Sequence, residues 1–172
     1  MALWFHDAVY DPRAPDNEER SATWAWTAVT DGGVDAASAE RIRALILSTR
    51  HARLPAGPDE ALLVDIDLAI LGAGEARFAE YERQIRDEYA FVPEATFVTK
   101  RRSVLASFRD RDATYATARY RDAYEARARR NLARALDETL GEPDRADDTG
   151  PGTDDGAPRG SRVDIGQRGD GR

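Results

Sequence analysis

The chain has 172 residues, a formal net charge of −7 and no cysteine, which excludes disulfides, thiolate zinc sites and cysteine nucleophiles. An acidic chain lacks the basic face that binding to DNA or RNA phosphates requires, and no uncharged apolar run is long enough for a membrane span. We therefore expect a soluble protein with one domain, and the lack of a signal-peptide pattern favours the cytoplasm.

The N-terminal part predicts a helix end, a turn and a second helix. Residues 3–9 have the apolar pattern of the last turns of a helix, and Pro12 and Pro15 then break the backbone. Asp16 is a favourable N-cap for a helix over residues 17–29. The predicted buried face of this helix consists of Ala22, Ala25, Trp26 and Val29.

Helical periodicity continues through the rest of the first 140 residues. It predicts helices over residues 35–50, 60–71, 75–89, 94–108 and 119–140. The second of these is apolar over most of its surface, which is typical of a central, buried helix. The predicted buried faces of the other four are Ser38, Ile42, Leu45 and Ile46; Phe78, Tyr81, Ile85 and Tyr89; Phe97, Val98, Val104, Leu105 and Phe108; and Tyr124, Ala128, Leu132 and Leu136.

The predicted fold class is all-α, because no stretch alternates as a strand does. We expect a compact helical bundle over residues 1–140. From residue 141 the composition changes to Gly, Pro, Asp, Arg and Thr, and only Val163 and Ile165 are large and apolar. Such a segment buries too little surface to offset its chain entropy, so residues 141–172 are predicted to form a disordered tail.

Four residues suggest a metal site. The adjacent pair His6 and Asp7 offers the imidazole nitrogen and carboxylate oxygen that divalent metals bind. The only other histidine, His51, ends a predicted helix, and Asp67 lies on an apolar helix, where a carboxylate needs a partner or a metal. In a bundle such side chains converge from facing helices. The alternative is an ordinary helix end with His6 hydrogen-bonded in place.

Three aromatic residues surround the His-Asp pair in the sequence. Trp4, Phe5 and Tyr10 would suit the walls of a base-stacking pocket. The simpler interpretation, which we favour, is that they form the core around the turn.

Several motifs, taken in their order along the chain, resemble those of the predicted metal-dependent phosphohydrolases of the HD superfamily. The resemblance begins with residues 4–11 and 16–22, and it covers the chain from Ala2 to about Leu140. Later motifs in the same order are 45–47 with Thr49 and His51; 65–72; 85–89; Arg101 before Val104 and Leu105; and Glu125 with Ala128, Arg129, Asn131 and Leu132. The resemblance implies a helical domain of the HD type over residues 1–140.

The resemblance also implies one bound divalent ion, such as Mn, Mg, Zn, Co or Fe. His6 and Asp7 would be the central ligands, and Asp67 would be the closing aspartate. Asp65 is the alternative closing residue, and its other role would be capping or hydrogen bonding in the helix. His51 matches a further histidine near the site, which would be either a ligand or a contact to substrate phosphate.

The implied reaction is hydrolysis of a phosphomonoester or phosphodiester of a small molecule or nucleotide by a metal-activated water. Asp7 or Glu18 would position the water or take its proton, although Glu18 also suits a helix N-terminus for electrostatic reasons. Arg50 and Arg101 are candidates for holding the substrate phosphate. In so arginine-rich a chain, a solvated surface position is the alternative for either arginine.

The first histidine of the HD signature would precede Met1, so by this resemblance the domain is truncated at its N-terminus. Its absence favours a second function, that of a catalytically impaired helical module of the same fold that binds a ligand or a protein partner.

Overall fold

The computed structural model describes residues 1–138, and this part of the chain is all-helical, as predicted. No helix in this range is both long enough and apolar enough to cross a membrane. The predicted tail, residues 141–172, lies outside the described residues. The elements are α1 (Ala2–Phe5), α2 (Asn17–Asp31), α3 (Ala36–Ser48), α4 (Pro58–Asp67), a 3₁₀ segment (Leu68–Gly72), α5 (Glu75–Glu88), α6 (Glu94–Arg109), α7 (Ala118–Tyr120), a π-helical segment (Arg121–Glu125) and α8 (Ala126–Glu138).

Two hydrophobic clusters hold these helices together, and α4 contributes to both. The smaller cluster joins α1, α2, α3 and α4 through Ala2, Ala22, Ala25, Ile46 and Leu63. The larger one joins α4, the 3₁₀ segment and the later helices through Val64, Leu68, Leu71, Phe78, Leu105, Tyr115, Ala128, Leu132, Ala135 and Leu136. The end of α4 therefore lies where the two halves of the bundle meet, as expected for a central helix.

Several predicted helix boundaries differ from those of the structure, and two of the differences have a clear local reason. The first helix ends at Phe5 instead of reaching residue 9, because Val9 forms both of its backbone hydrogen bonds with the Ser21 hydroxyl. The helix predicted over residues 60–71 begins two residues earlier, at Pro58, whose fixed φ suits a first helical position. It tightens to a 3₁₀ helix after Asp67.

Some residues predicted to be buried are exposed. Trp26 is 39% exposed, Tyr10 is 50% exposed and Trp4 is 85% exposed, while Ser38 and Val104 also face outwards. In α2 the buried face consists of Ser21, Ala22, Ala25 and Val29. Small residues at this face allow α2 and α3 to approach closely, and an indole ring does not fit between them.

Candidate metal centre

Helix α2 holds the turn that follows the His-Asp pair. The Ser21 hydroxyl accepts a hydrogen bond from the Val9 N–H at 2.9 Å and donates to the Val9 carbonyl at 3.2 Å. The Asn17 side chain bonds both backbone groups of Asp11, at 3.0 and 2.9 Å. Because residues 17 and 21 are four apart, they share one face of α2. Both residues belong to the motif over residues 16–22, but the sequence analysis gave neither a positioning role; their spacing of four is the signal that could have identified it.

His6 lies against two carboxylates. Its Nε2 atom is 3.1 Å from an Asp7 oxygen and 3.5 Å from an Asp67 oxygen. One ligand atom from each of these three residues lies within 4.8 Å of the others. The Nδ1 atom of His6 contacts the Leu3 carbonyl at 3.0 Å, and a carbonyl can only accept. Nδ1 therefore carries a proton, and Nε2 is the atom directed at the carboxylates.

His51 approaches the same centre from the end of α3. Its Nε2 atom is 2.9 Å from the second carboxylate oxygen of Asp67, so Asp67 bridges both histidines of the chain. The backbone of His51 is left-handed, with a φ of 54°, which is uncommon outside glycine. Its ring packs edge-to-face on Phe108 at 5.6 Å, and its Nδ1 atom is buried without a hydrogen-bond partner.

The close contacts shift the pKa values of the central residues. Contacts with Asp67 and then with Asp7 raise the pKa of His6 to about 10, despite its partial burial. Burial raises the pKa of Asp67, but hydrogen bonds from His51 and His6 outweigh it and leave that pKa below its ordinary value. The raised pKa favours the protonated form of His6 at neutral pH, beside the carboxylates of Asp7 and Asp67.

The same donor set fits a divalent ion. Imidazole nitrogen and carboxylate oxygen are suitable ligands, and they come from His6, Asp7 and Asp67 within one small volume. The backbone contact of His6 at Leu3 is of the kind that fixes the tautomer of metal-ligating histidines. As a metal ligand, His6 would be the neutral imidazole, with its proton on Nδ1 toward the Leu3 carbonyl and its Nε2 atom free to bind the ion. His51 would then orient Asp67.

Asp65 lies outside this cluster. Its fully buried carboxylate accepts hydrogen bonds from the backbone N–H groups of Ala116 at 2.7 Å and Thr117 at 2.8 Å. The Thr117 hydroxyl donates a third bond at 2.5 Å. Asp65 thus has a hydrogen-bonding role, as the sequence alternative proposed, but toward the start of α7 instead of within its own helix.

The other predicted site residues are not part of the cluster. Glu18 lies in the first turn of α2, and its carboxylate has no hydrogen bond or ion pair within residues 1–138. Arg50 forms an ion pair with Glu19 at 2.6 Å, and Arg101 forms a two-pronged pair with Glu82 at 3.1 and 2.5 Å. Both guanidinium groups are therefore neutralised, and their contact with a substrate stays a prediction.

We compared the chain with models of known protein families, with curated proteins and with solved structures, and none of the three comparisons gave a match.

Proposed function

We propose that the protein is a metal-dependent hydrolase of small phosphoesters, of the HD type that its motifs resemble. The observation that supports this most is the convergence of His6, Asp7 and Asp67 within 4.8 Å. His6 and Asp7 are adjacent and follow α1, whereas Asp67 is distant in sequence and ends α4, with its side chain largely removed from solvent. The imidazole nitrogen and carboxylate oxygens that meet there are the ligand types that divalent ions bind.

Each residue has a defined role in the proposal. His6, Asp7 and Asp67 hold the ion, and His51 orients Asp67 through its 2.9 Å hydrogen bond. When bound, the ion lowers the pKa of a water molecule and polarises a phosphoryl oxygen, the chemistry that phosphoester hydrolysis needs. Asp7, the most exposed of the ligand residues, is placed to take a proton from the attacking water. Glu18, with no partner of its own, is the second candidate for that proton.

Metal content tests the proposal directly. Purified protein equilibrated with Mn²⁺ and passed through a desalting column should retain about one ion per chain. His6→Ala and Asp67→Ala should each abolish retention, because each removes a ligand. Asp87→Ala is the matched control, since it removes an exposed carboxylate of α5 that makes no side-chain contact. Unchanged metal content in both ligand variants would reject the metal centre.

One observation favours the second candidate function, a non-catalytic helical module that binds a ligand or partner. The Asp67 carboxylate already faces the Nε2 atoms of His51 at 2.9 Å and His6 at 3.5 Å, so it has polar partners without an ion. A panel of phosphomonoesters and phosphodiesters with Mn²⁺, Mg²⁺, Zn²⁺ or Co²⁺ separates the two functions. Hydrolysis that disappears on chelation would exclude the non-catalytic module, whereas metal binding without hydrolysis of any substrate would support it.

A further inference from the structure

A groove of about 590 Å³ lies between the turn after the His-Asp pair and helices α5 and α6. Its walls include four aromatic residues, Tyr10, Tyr89, Phe91 and Phe97. The ring centre of Tyr89 lies 5.9 Å from that of Phe91 and 6.4 Å from that of Phe97, so the three rings form one continuous aromatic wall. The volume is in the range of small-molecule sites, which are mostly apolar with a few polar groups.

The groove also contains positive charge without a matching carboxylate. Lys100, the only lysine of the chain, lines it and forms no ion pair within residues 1–138. The Arg13 guanidinium lies 4.3 Å from the centre of the Phe91 ring and likewise has no carboxylate partner in that range. Burial and then the Glu88 carboxylate raise the pKa of the Tyr10 hydroxyl, and Glu88 forms no ion pair with either cation. The protein has a net charge of −7, yet two basic side chains without carboxylate partners lie here beside aromatic rings. This arrangement indicates an anionic ligand.

Arg86 supports the wall of the groove at the loop between α5 and α6. Arg86 donates hydrogen bonds to the carbonyls of Tyr89 at 2.9 Å and Val92 at 3.3 Å, which fixes the loop between α5 and α6. The same guanidinium pairs with Glu94 at 2.8 Å and lies 4.6 Å from the centre of the Phe97 ring. A wall held in this way is formed before any ligand arrives, which lowers the entropic cost of binding.

We propose that this groove binds a planar aromatic ring that carries an anionic group. The ring packs against Tyr89, Phe91 and Phe97, and Lys100 and Arg13 contact the charge. A nucleotide and an aromatic carboxylate both have this chemistry. The ligand needs no metal, so this proposal does not depend on the hydrolase function.

Isothermal titration calorimetry in EDTA tests the site with 2-naphthoate, a probe that cannot be hydrolysed. The neutral analogue 2-naphthalenemethanol tests the charge, and acetate tests the ring. We expect both to bind at least about tenfold more weakly than 2-naphthoate, because a charge-assisted contact and the aromatic packing are each needed. Equal affinity for the neutral analogue and the anion would overturn the proposal.

Two pairs of variants locate the binding. Lys100→Ala should weaken 2-naphthoate binding about tenfold, whereas Arg102→Ala removes the same charge from α6 outside the groove and should change it less than about twofold. Val104→Trp should fill the groove and abolish binding, whereas Ser103→Trp places the same ring beside it. Circular dichroism of each of the four variants checks that it is folded. Equal effects within each pair would place binding elsewhere and reject the groove.

Adenosine 5′-monophosphate provides the second arm of the experiment. Binding tighter than that of 2-naphthoate, with the same response to the four variants, would support the proposal and identify a nucleotide ligand. Binding of 2-naphthoate alone, with that response, would support an aromatic carboxylate. If neither compound binds, the proposal is wrong, whatever the metal content of the protein.

Discussion

Asp65 and Asp67 are two residues apart, yet they belong to different parts of the molecule. Successive residues of an α-helix are rotated by about 100°, so these two carboxylates point about 200° apart. Asp67 therefore meets His6 and His51, while Asp65 reaches the backbone of residues 116–117. The sequence identified both as unusual on an apolar helix, and the helical phase decides which of them contributes to the candidate centre.

The buried Asp65 should matter for stability and not for metal retention. Asp65→Ala leaves two backbone N–H groups and the Thr117 hydroxyl without their acceptor, which should lower the free energy of unfolding by about 3 kcal/mol. Urea unfolding measures this loss, with Asp87→Ala expected within about 0.5 kcal/mol of the wild type. A folded Asp65→Ala protein that had lost its metal would instead assign Asp65 to the centre.

The loop before α4 is fixed by Glu60, and this contact should give a pH-dependent contribution to stability. Arg53 contacts Glu60 at 2.7 and 2.9 Å and the Ala56 N–H donates to it at 2.8 Å, which together lower the pKa of Glu60 to about 2. A carboxyl group whose pKa is lower in the folded state stabilises the folded protein at pH values above its ordinary pKa near 4.5. This stabilisation is lost as the pH falls towards 2.

The difference in urea midpoint between wild type and Glu60→Gln should therefore be largest above pH 5 and shrink steadily as the pH falls below 4.5. Asp59→Asn changes an exposed carboxylate in the same helical turn, and its difference from wild type should stay small throughout. A difference for Glu60→Gln that is constant between pH 6 and 3 would contradict the pKa assignment.

At the scale of elements, the sequence located the helices well but not their irregularities. The helix predicted over residues 119–140 consists, within the described range, of α7, a π-helical segment and α8. Ala128, Leu132 and Leu136 are buried as predicted. Periodicity could not reveal the π-helical segment, because these apolar residues are spaced by four whether or not the helix is interrupted before them. The π-helical segment lies against the 3₁₀ segment, where Tyr124 is close to Gly72.

Gly72 is the point of closest approach between these irregular segments. A Cβ atom at this position would lie 2.7 Å from the Tyr115 hydroxyl and 2.7 Å from the Tyr124 Cβ atom. Gly72→Ala should therefore lower the free energy of unfolding by about 2 kcal/mol through overpacking. Gly57→Ala is the matched control, because nothing lies within 4 Å of its added carbon. The midpoints of thermal unfolding of the two variants measure this difference. Equal midpoints would show that the 3₁₀ and π-helical segments move apart at little cost.

At the scale of the molecule, the candidate centre lies where the two hydrophobic clusters meet. His6 follows α1, His51 follows α3 and Asp67 ends α4, and α4 contributes side chains to both clusters. The sequence identified these donors because the chain has only two histidines and one largely apolar helix. It could not assign partners to Arg50 and Arg101, since in an arginine-rich chain the choice of carboxylate depends on tertiary geometry.

The ligand set joins the end of α1 to the end of α4, which couples metal binding to folding. An ion that binds only the folded chain raises the free energy of unfolding by about 2.7 kcal/mol at one hundred times its dissociation constant. We expect Mn²⁺ to stabilise the wild-type protein by this amount in urea unfolding, and to leave His6→Ala unchanged. Glu18→Gln should keep the full stabilisation, because Glu18 lies outside the cluster. If Glu18→Gln nevertheless loses hydrolysis, its carboxylate acts on the attacking water and not on the ion. Stabilisation that persisted in His6→Ala would mean that Mn²⁺ binds somewhere other than this junction of the helices.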